Sequence, residues 1–295
     1  MFRIFSMFRV PKTHMLAAAA AALVLLTSAC GGKAPDRPNN FPGGSTMAAL
    51  ASAPKIKVGA SPNQPGLAEL NLQHDWEGFN IDLAVYLVNS LGIDKKDIEW
   101  VNTTAANRIP FLKQGKIDFF ATALAITPER EKTLAIAGPY LETTPRLMVR
   151  AADAERFKTL QDIPTGTKVC VLQGSQGQPR VKESIPQADI SEFNTLTNCV
   201  RALEQGTVDA VDSTAPLLAG FVEDKPDVFA LAPVTYGKGE RWGIGMADDR
   251  VDLCEFFNQR LKQAFDDGTI GELWEQHMGK SGLEAPTPPK EMASC

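Results

Sequence analysis

The sequence predicts an α/β protein built as two lobes with a ligand cleft between them, and three observations predict it. Strand-like and helix-like runs alternate from Lys55 onward, the pattern left in a chain by helices that flank parallel strands. The alternation begins afresh after Arg150. A strand and a helix are then left over near the C-terminus, and such a segment often returns to the first unit. The chain would therefore cross between lobes twice, near residues 145–150 and 236–240. That places lobe 1 at 55–147 and 239–280, lobe 2 at 148–238, and an irregular, proline-bearing tail at 281–295. A cleft between two lobes is a natural ligand site and closes by hinge motion.

Each element has its own signal. In lobe 1, "IKVGA" (56–60) is a short strand. Residues 79–91 show helical spacing, with Leu83, Ala84, Leu87, Val88 and Leu91 on one face and Gly92 as a C-cap. "DIEWV" is a second strand. "NRIPFLKQG" (107–115) is a short helix, with Pro110 tolerable near its start. "IDFFATAL" is a third strand, after which a helix starts at Thr127, with Thr as N-cap and Pro128 at the first helical position. In lobe 2, "KVCVLQ" (168–173) is a strand that runs into "GSQG". "NCVRALEQG" is an amphipathic helix closed by Gly206, "VDAVDS" a strand, "APLLAGFVE" a helix and "VFALAP" a further strand. The leftover pair is "WGIGMA" (242–247) and a helix over about 251–267, with Leu253, Phe256, Phe257, Leu261, Ala264 and Phe265 inward. "TIGELWEQHMG" closes the globular part.

The first 30 residues stand apart. Arg3, Arg9 and Lys12 precede an unbroken apolar run, "MLAAAAAALVLL", which is shorter than the ~20 residues a membrane-spanning helix needs. This is the charged-then-apolar pattern of an export signal. "TSAC" ends it and resembles a lipobox, in which Cys30 would be lipidated. Thr27 stands where Leu is usual, so a plain signal peptide stays open as the alternative. Residues 31–54 are rich in Gly, Pro, Ser and Asn and read as a flexible tether. Without the signal, 27 basic residues face 35 acidic ones. That balance, with no basic cluster, speaks against nucleic-acid binding. Setting Cys30 aside leaves Cys170, Cys199, Cys254 and Cys295, which permit two disulfides in an exported chain, in three connectivities. The three histidines are isolated, so a His/Cys metal site is not expected.

In open α/β sheets, ligands bind beyond the carboxyl ends of the strands. Three such ends carry chemistry here. At 123–130, the amides of Ala123 and Ala125 leave the ladder and Arg130 projects nearby. Amide donors with a guanidinium fork suit a carboxylate. A surface ion pair of Arg130 with Glu129 or Glu131 weighs equally on this segment alone. At 173–177, the Ser175 hydroxyl and the amides of Ser175, Gln176 and Gly177 could meet an anion, or be only a turn. At 212–214, Asp212, Ser213 and Thr214 could take an ammonium group, or Ser213 or Thr214 could cap the next helix.

The blocks "EGFNIDLAVYLVNSLG", "NRIPFLKQGKIDFFATALAITPERE", "KVCVLQGSQ" and "VDAV…PLLAGF" fall in the order and spacing of the extracytoplasmic solute-binding proteins of family 3. These are the amino-acid receptors of ABC importers, and the chain resembles them over about residues 55–279, most of all the glutamate/aspartate-binding members. The resemblance implies a type II periplasmic-binding-protein fold, each lobe a central sheet flanked by helices. It implies Arg130 as the anchor of the ligand α-carboxylate and Arg108 as reader of the side-chain carboxylate. The amide of Ala125 and the carbonyl of Ala123 would be backbone partners, with Ser175 and Gln176 closing from lobe 2. It also implies a Cys170–Cys199 disulfide, and Cys254 with Cys295 would then tie the tail to the last long helix. Two departures stand out. Relatives carry hydroxyl residues at Ala123 and Ala125, and an Asp at Thr214 that pairs with the ligand ammonium. Either Asp212, two residues earlier, takes that role or the ligand is not a standard α-amino acid.

The expected function is capture of glutamate, aspartate, glutamine or asparagine by a lipid-anchored, monomeric receptor outside the cytoplasmic membrane. It would deliver the ligand to the permease subunits of an ABC transporter, with no cofactor, metal or covalent step. A sensor for a membrane signalling partner is the alternative, and an enzyme of dehydratase type on the same fold a more distant one.

Overall fold

The computed structural model describes residues 40–295. The export signal, Cys30 and the first part of the expected tether lie outside the described residues. The second part is not a free tether. Residues 46–52 form helix α1 (Thr46–Ser52), capped by the Ser45 hydroxyl, which accepts from the Ala48 amide, and Met47, Leu50 and Ala51 are buried. Three apolar side chains on one short helix offset its ordering cost by burial. Thr46 also bonds the carboxylate of Asp252 through its amide and hydroxyl, at 2.7 and 2.6 Å.

The chain continues through β1 (Ile56–Ala60), a small hairpin of β2 (Glu69–Leu70) and β3 (Trp76–Glu77), α2 (Phe79–Asn89), β4 (Ile98–Asn102), α3 (Arg108–Lys113), β5 (Phe119–Ala125), α4 (Pro128–Glu131) and β6 (Leu134–Thr143). After the single residue Thr144 come β7 (Pro145–Arg150), β8 (Lys168–Leu172), α5 (Gly177–Ser184), β9 (Asp189–Phe193), α6 (Leu196–Glu204), β10 (Ala210–Thr214), α7 (Ala215–Asp224) and β11 (Phe229–Leu231). The last elements are β12 (Glu240–Ala247), α8 (Val251–Asp266) and α9 (Thr269–Met278).

Two five-stranded sheets result, in the orders β4-β1-β5-β12-β6 and β11-β7-β10-β8-β9. The leftover strand β12 does return to the first sheet. The expectation of parallel strands holds for only half of each sheet. β1 is parallel to β4 and β5, and β8 to β9 and β10, but β12 runs antiparallel to β5 and β6, and β7 antiparallel to β10 and β11. The reason is the crossings. A strand that arrives from the other lobe needs no right-handed helical crossover and can pair in either sense. The first crossing is Thr144, just ahead of the expected 145–150, since Pro145–Arg150 already pairs in the second sheet. β6 carries Gly138-Pro139 inside an otherwise apolar run, which hides a strand in the sequence. Its edge position is where a strand tolerates proline.

Helices cover the sheets by the faces their spacing dictates. On α2, Leu83, Ala84, Leu87 and Val88 are fully buried. On α8, Leu253, Cys254, Phe257, Leu261 and Ala264 are buried, while Phe256 and Phe265 pack at the margin. Two disulfides staple this frame. Cys170–Cys199 joins β8 to α6, and Cys254–Cys295 joins α8 to the last residue of the tail. The tail is irregular yet docked: the Ala293 amide donates to the Gly138 carbonyl at 2.6 Å, and Asn258 donates to the Ala293 carbonyl at 3.0 Å.

The Cys170–Cys199 bond spans 29 residues, a loop whose closure is worth about 3.5 kcal/mol in the chain-entropy account. Replacing both with serine should lower unfolding stability by about that amount, read as the urea midpoint. An unchanged midpoint would show that the bond constrains little.

Candidate functional site

One cavity of about 220 Å³ lies between the sheets and is lined from both. The first sheet contributes the ends of β4 and β5, the start of β12 and the loop after β1. The second contributes the end of β8, the start of α5 and the end of β10. Its size is below the ~300–1,000 Å³ of pockets for drug-sized ligands, which suits a small metabolite.

Arg108 opens α3 and is 3 % exposed. Its Nη1 donates to the carbonyl and the hydroxyl of Thr122, and its guanidinium lies 5.2 Å from the ring centre of Phe120. Burial, then the charge of Arg130, pulls its pKa down to about 9. It stays charged at neutral pH, in a setting that favours an arriving anion. Arg130 is half-buried. It sits in the short helix α4, where Thr127 is the N-cap and Pro128 the first residue. Its Nη1 turns back to the Ala125 carbonyl at 2.8 Å and its Nη2 reaches the Gly174 carbonyl of the other lobe at 3.3 Å. No ion pair to Glu129 or Glu131 forms among the described residues, so the surface-pair alternative falls. Burial lowers its pKa too, and the carboxylate of Glu240 acts in the opposite sense.

Ala123 and Ala125 line the cavity, but not as expected in every detail. The Ala123 amide is taken by the Tyr140 hydroxyl at 3.2 Å. Ala123 adopts φ 52°, a left-handed conformation costly for a residue with a Cβ. It lies where β5 and β12 slip register between Gly243 and Gly245, and bulges of this kind re-aim a strand next to a site. Ser175 and Gln176 also line the cavity, with Gln176 at the N-cap of α5. The Ser175 hydroxyl donates to the Leu172 carbonyl at 2.6 Å and accepts from the Gly177 amide at 3.0 Å.

Asp212 is the main correction. It is 1 % exposed and does not line the cavity. Arg180 grips it through Nε at 3.0 Å and Nη2 at 2.7 Å, and the Tyr236 hydroxyl donates to it as well. Burial pushes the Asp212 carboxyl up, and Arg180 and Tyr236 hold it against that push. Burial likewise works against the charge of Arg180, but Asp212 and Glu240 raise it above its ordinary value. Asp212 and Thr214, two residues apart in β10, share a face by alternation, but Arg180 and Tyr236 cover Asp212, while Thr214 at the strand's end lines the cavity. Thr214 occupies the N-cap position of α7, but its hydroxyl makes no capping bond and has no partner.

Arg180, Glu240 and Trp242 are among the lining residues that escaped sequence reasoning. Glu240 begins β12 at the second crossing and bonds Arg180. The signal was present, since a charged residue at a predicted hinge faces the cleft by position. Four of the eight unpartnered buried polar side-chain atoms among the described residues belong to this one lining: Gln64 Oε1, Arg108 Nε, Thr214 Oγ1 and Trp242 Nε1. Buried polar groups are ordinarily satisfied, so such a concentration marks a place where a polar ligand completes the bonding.

Cleft, hinge strands and paired arginines define a small-solute receptor. Residues 56–280 match the family model of the bacterial extracellular solute-binding proteins, family 3, and the chain belongs to that family. It is 30% identical over 278 residues to the glutamate-binding protein GluB of Corynebacterium efficiens, covering 91% of this chain and 92% of that one. It is 27% identical to the ABC transporter glutamine-binding protein GlnH of Bacillus subtilis, over 92% of this chain and 99% of that one. Among solved structures, the ancestral amino acid-binding protein AncCDT-1, a precursor of cyclohexadienyl dehydratase, superposes with a TM-score of 0.71 at 27% identity, covering 79% of this chain and 99% of that chain.

If Asp212 is scaffold, Asp212→Asn breaks up the two-pronged Arg180 grip and the Tyr236 bond on a buried carboxylate. Breaking one side of a buried pair costs about 3 kcal/mol. The variant should unfold at correspondingly lower urea; a stability equal to the parent's would return Asp212 to the list of ligand contacts.

Proposed function

We propose that this chain is the extracytoplasmic receptor of an amino-acid ABC importer and that its ligand is a small amino acid with an acidic or amide side chain: glutamate, aspartate, glutamine or asparagine. The observation that supports it most is the pair of guanidiniums, Arg108 and Arg130, on one wall of a small cavity rich in unpartnered polar atoms. Arg130 is the α-carboxylate anchor and Arg108 the side-chain reader. The cavity and its backing hold three guanidiniums against the two carboxylates of Asp212 and Glu240. A ligand with one net negative charge balances them, which favours glutamate and aspartate over the amides.

Binding works by closure. The ligand docks on the lobe 1 arginines, and the backbone at Ser175 and Gln176 approaches from lobe 2. A planar carboxylate takes both prongs of the Arg130 fork better than two separate carbonyls do. The closed form is what a membrane permease reads. Cys30 anchors the chain to the membrane by a lipid, and the chain works as a monomer without turnover of its ligand. A sensor role differs in one outcome: deletion would leave uptake intact.

Calorimetry of the purified protein against amino acids and dicarboxylates should give micromolar or tighter binding for glutamate or aspartate. No heat with any of the four ligands would sink the assignment. Arg130→Ala should weaken binding by about 30-fold or more, the scale of removing one side of a buried charge pair. Arg146→Ala should change it far less, because Arg146 donates to the Ala232 carbonyl and lies outside the lining. Equal losses would remove Arg130 from the site.

A further inference from the structure

An α-amino acid brings a cation as well as carboxylates, and the cleft must provide for it. Asp212 cannot, being consumed by Arg180 and Tyr236. Glu240 is the one carboxylate among the residues that line the cavity, and its side chain is 14% exposed. Arg180 is its ion-pair partner, but that guanidinium already has a two-pronged carboxylate in Asp212. The trio therefore carries one uncompensated negative charge in a nearly dry place, a costly arrangement unless a cation completes it. Next to it stand the two uncompensated positive charges of Arg108 and Arg130. The charges match those of a ligand with two carboxylates and one ammonium.

Position agrees with charge. The Glu240 carboxylate favours the charged forms of both Arg130 and Arg108. The carboxylate thus neighbours the anchor of the α-carboxylate, as the ammonium on the same carbon requires. Thr214, 3 % exposed, offers a second acceptor in the same cavity, with a hydroxyl that neither caps α7 nor bonds any partner. Behind Glu240, Arg180 is fixed by Asp212, which leaves the carboxylate little freedom to swing away.

We infer that Glu240, seated by Arg180 and aided by the Thr214 hydroxyl, is the residue that selects for the ligand ammonium. The inference rests on the amino-acid reading above. It also resolves the absence of an acid at Thr214: the acid comes from the hinge strand instead of from the end of β10.

The test compares L-glutamate with glutarate, which keeps both carboxylates and lacks the ammonium. Calorimetry should show the parent preferring glutamate by about 100-fold, the scale of a buried charge pair. Glu240→Gln should cut that preference to about tenfold or less while glutarate binds as well as before or better. Thr214→Asp added to Glu240→Gln should restore it. A folded Glu240→Gln that keeps the full preference, or that loses both ligands alike, overturns the inference and leaves the amino-acid reading standing. A parent that binds both ligands equally overturns it without any variant, which covers the case of a variant that does not fold. A parent that binds neither glutamate nor any other of the amino acids above overturns both readings together.

Discussion

The double grip of Arg180 is the contact on which the rest depends. Its partners come from different sheets: Asp212 from β10 of the second and Glu240 from the start of β12 in the first. One buried guanidinium thus sets the inner end of a lobe, the root of a hinge strand and the charge of the cleft. Two carboxylates and a Tyr236 hydroxyl gather around it because no one of them could be buried alone. Gly177 shows how closely this is packed, since a Cβ there would lie 2.6 Å from an Asp212 oxygen.

Much of this architecture was legible. Apolar runs and period-3.6 faces marked β1, β5, α2 and α8, and Thr127-Pro128 marked the start of α4 at its N-cap. What failed had physical causes. β6 was hidden by Gly138-Pro139, acceptable at a sheet edge but unlike a strand by composition. β9 has no alternating apolar face, because it too is an edge. The helix at 46–52 was masked by the Gly- and Pro-rich residues before it, and only its contact with α8 makes it worth ordering.

The cleft was legible to a different degree. Arg130, Ala123, Ala125, Ser175, Gln176 and Thr214 line one cavity, because strand ends and helix starts are places that sequence patterns do locate, and Arg108, named from the family resemblance, lines it too. Asp212 shares its face with Thr214, as alternation requires, but Arg180 and Tyr236 take up its carboxylate and cover it. The place of Glu240 at a predicted crossing was a hint, but its pairing with Arg180, 60 residues away, is a contact that no local pattern announces.

Gly174 carries a consequence of its own. Its φ of 77° suits glycine, and a Cβ on it would fall 2.8 Å from Ala106 of the opposite lobe. Backbone therefore meets backbone at the seam, with no side chain between. The travel of the jaws is limited by the peptide chain itself. A methyl group at this point would act as a doorstop, holding the jaws ajar however well the arginines gripped their cargo.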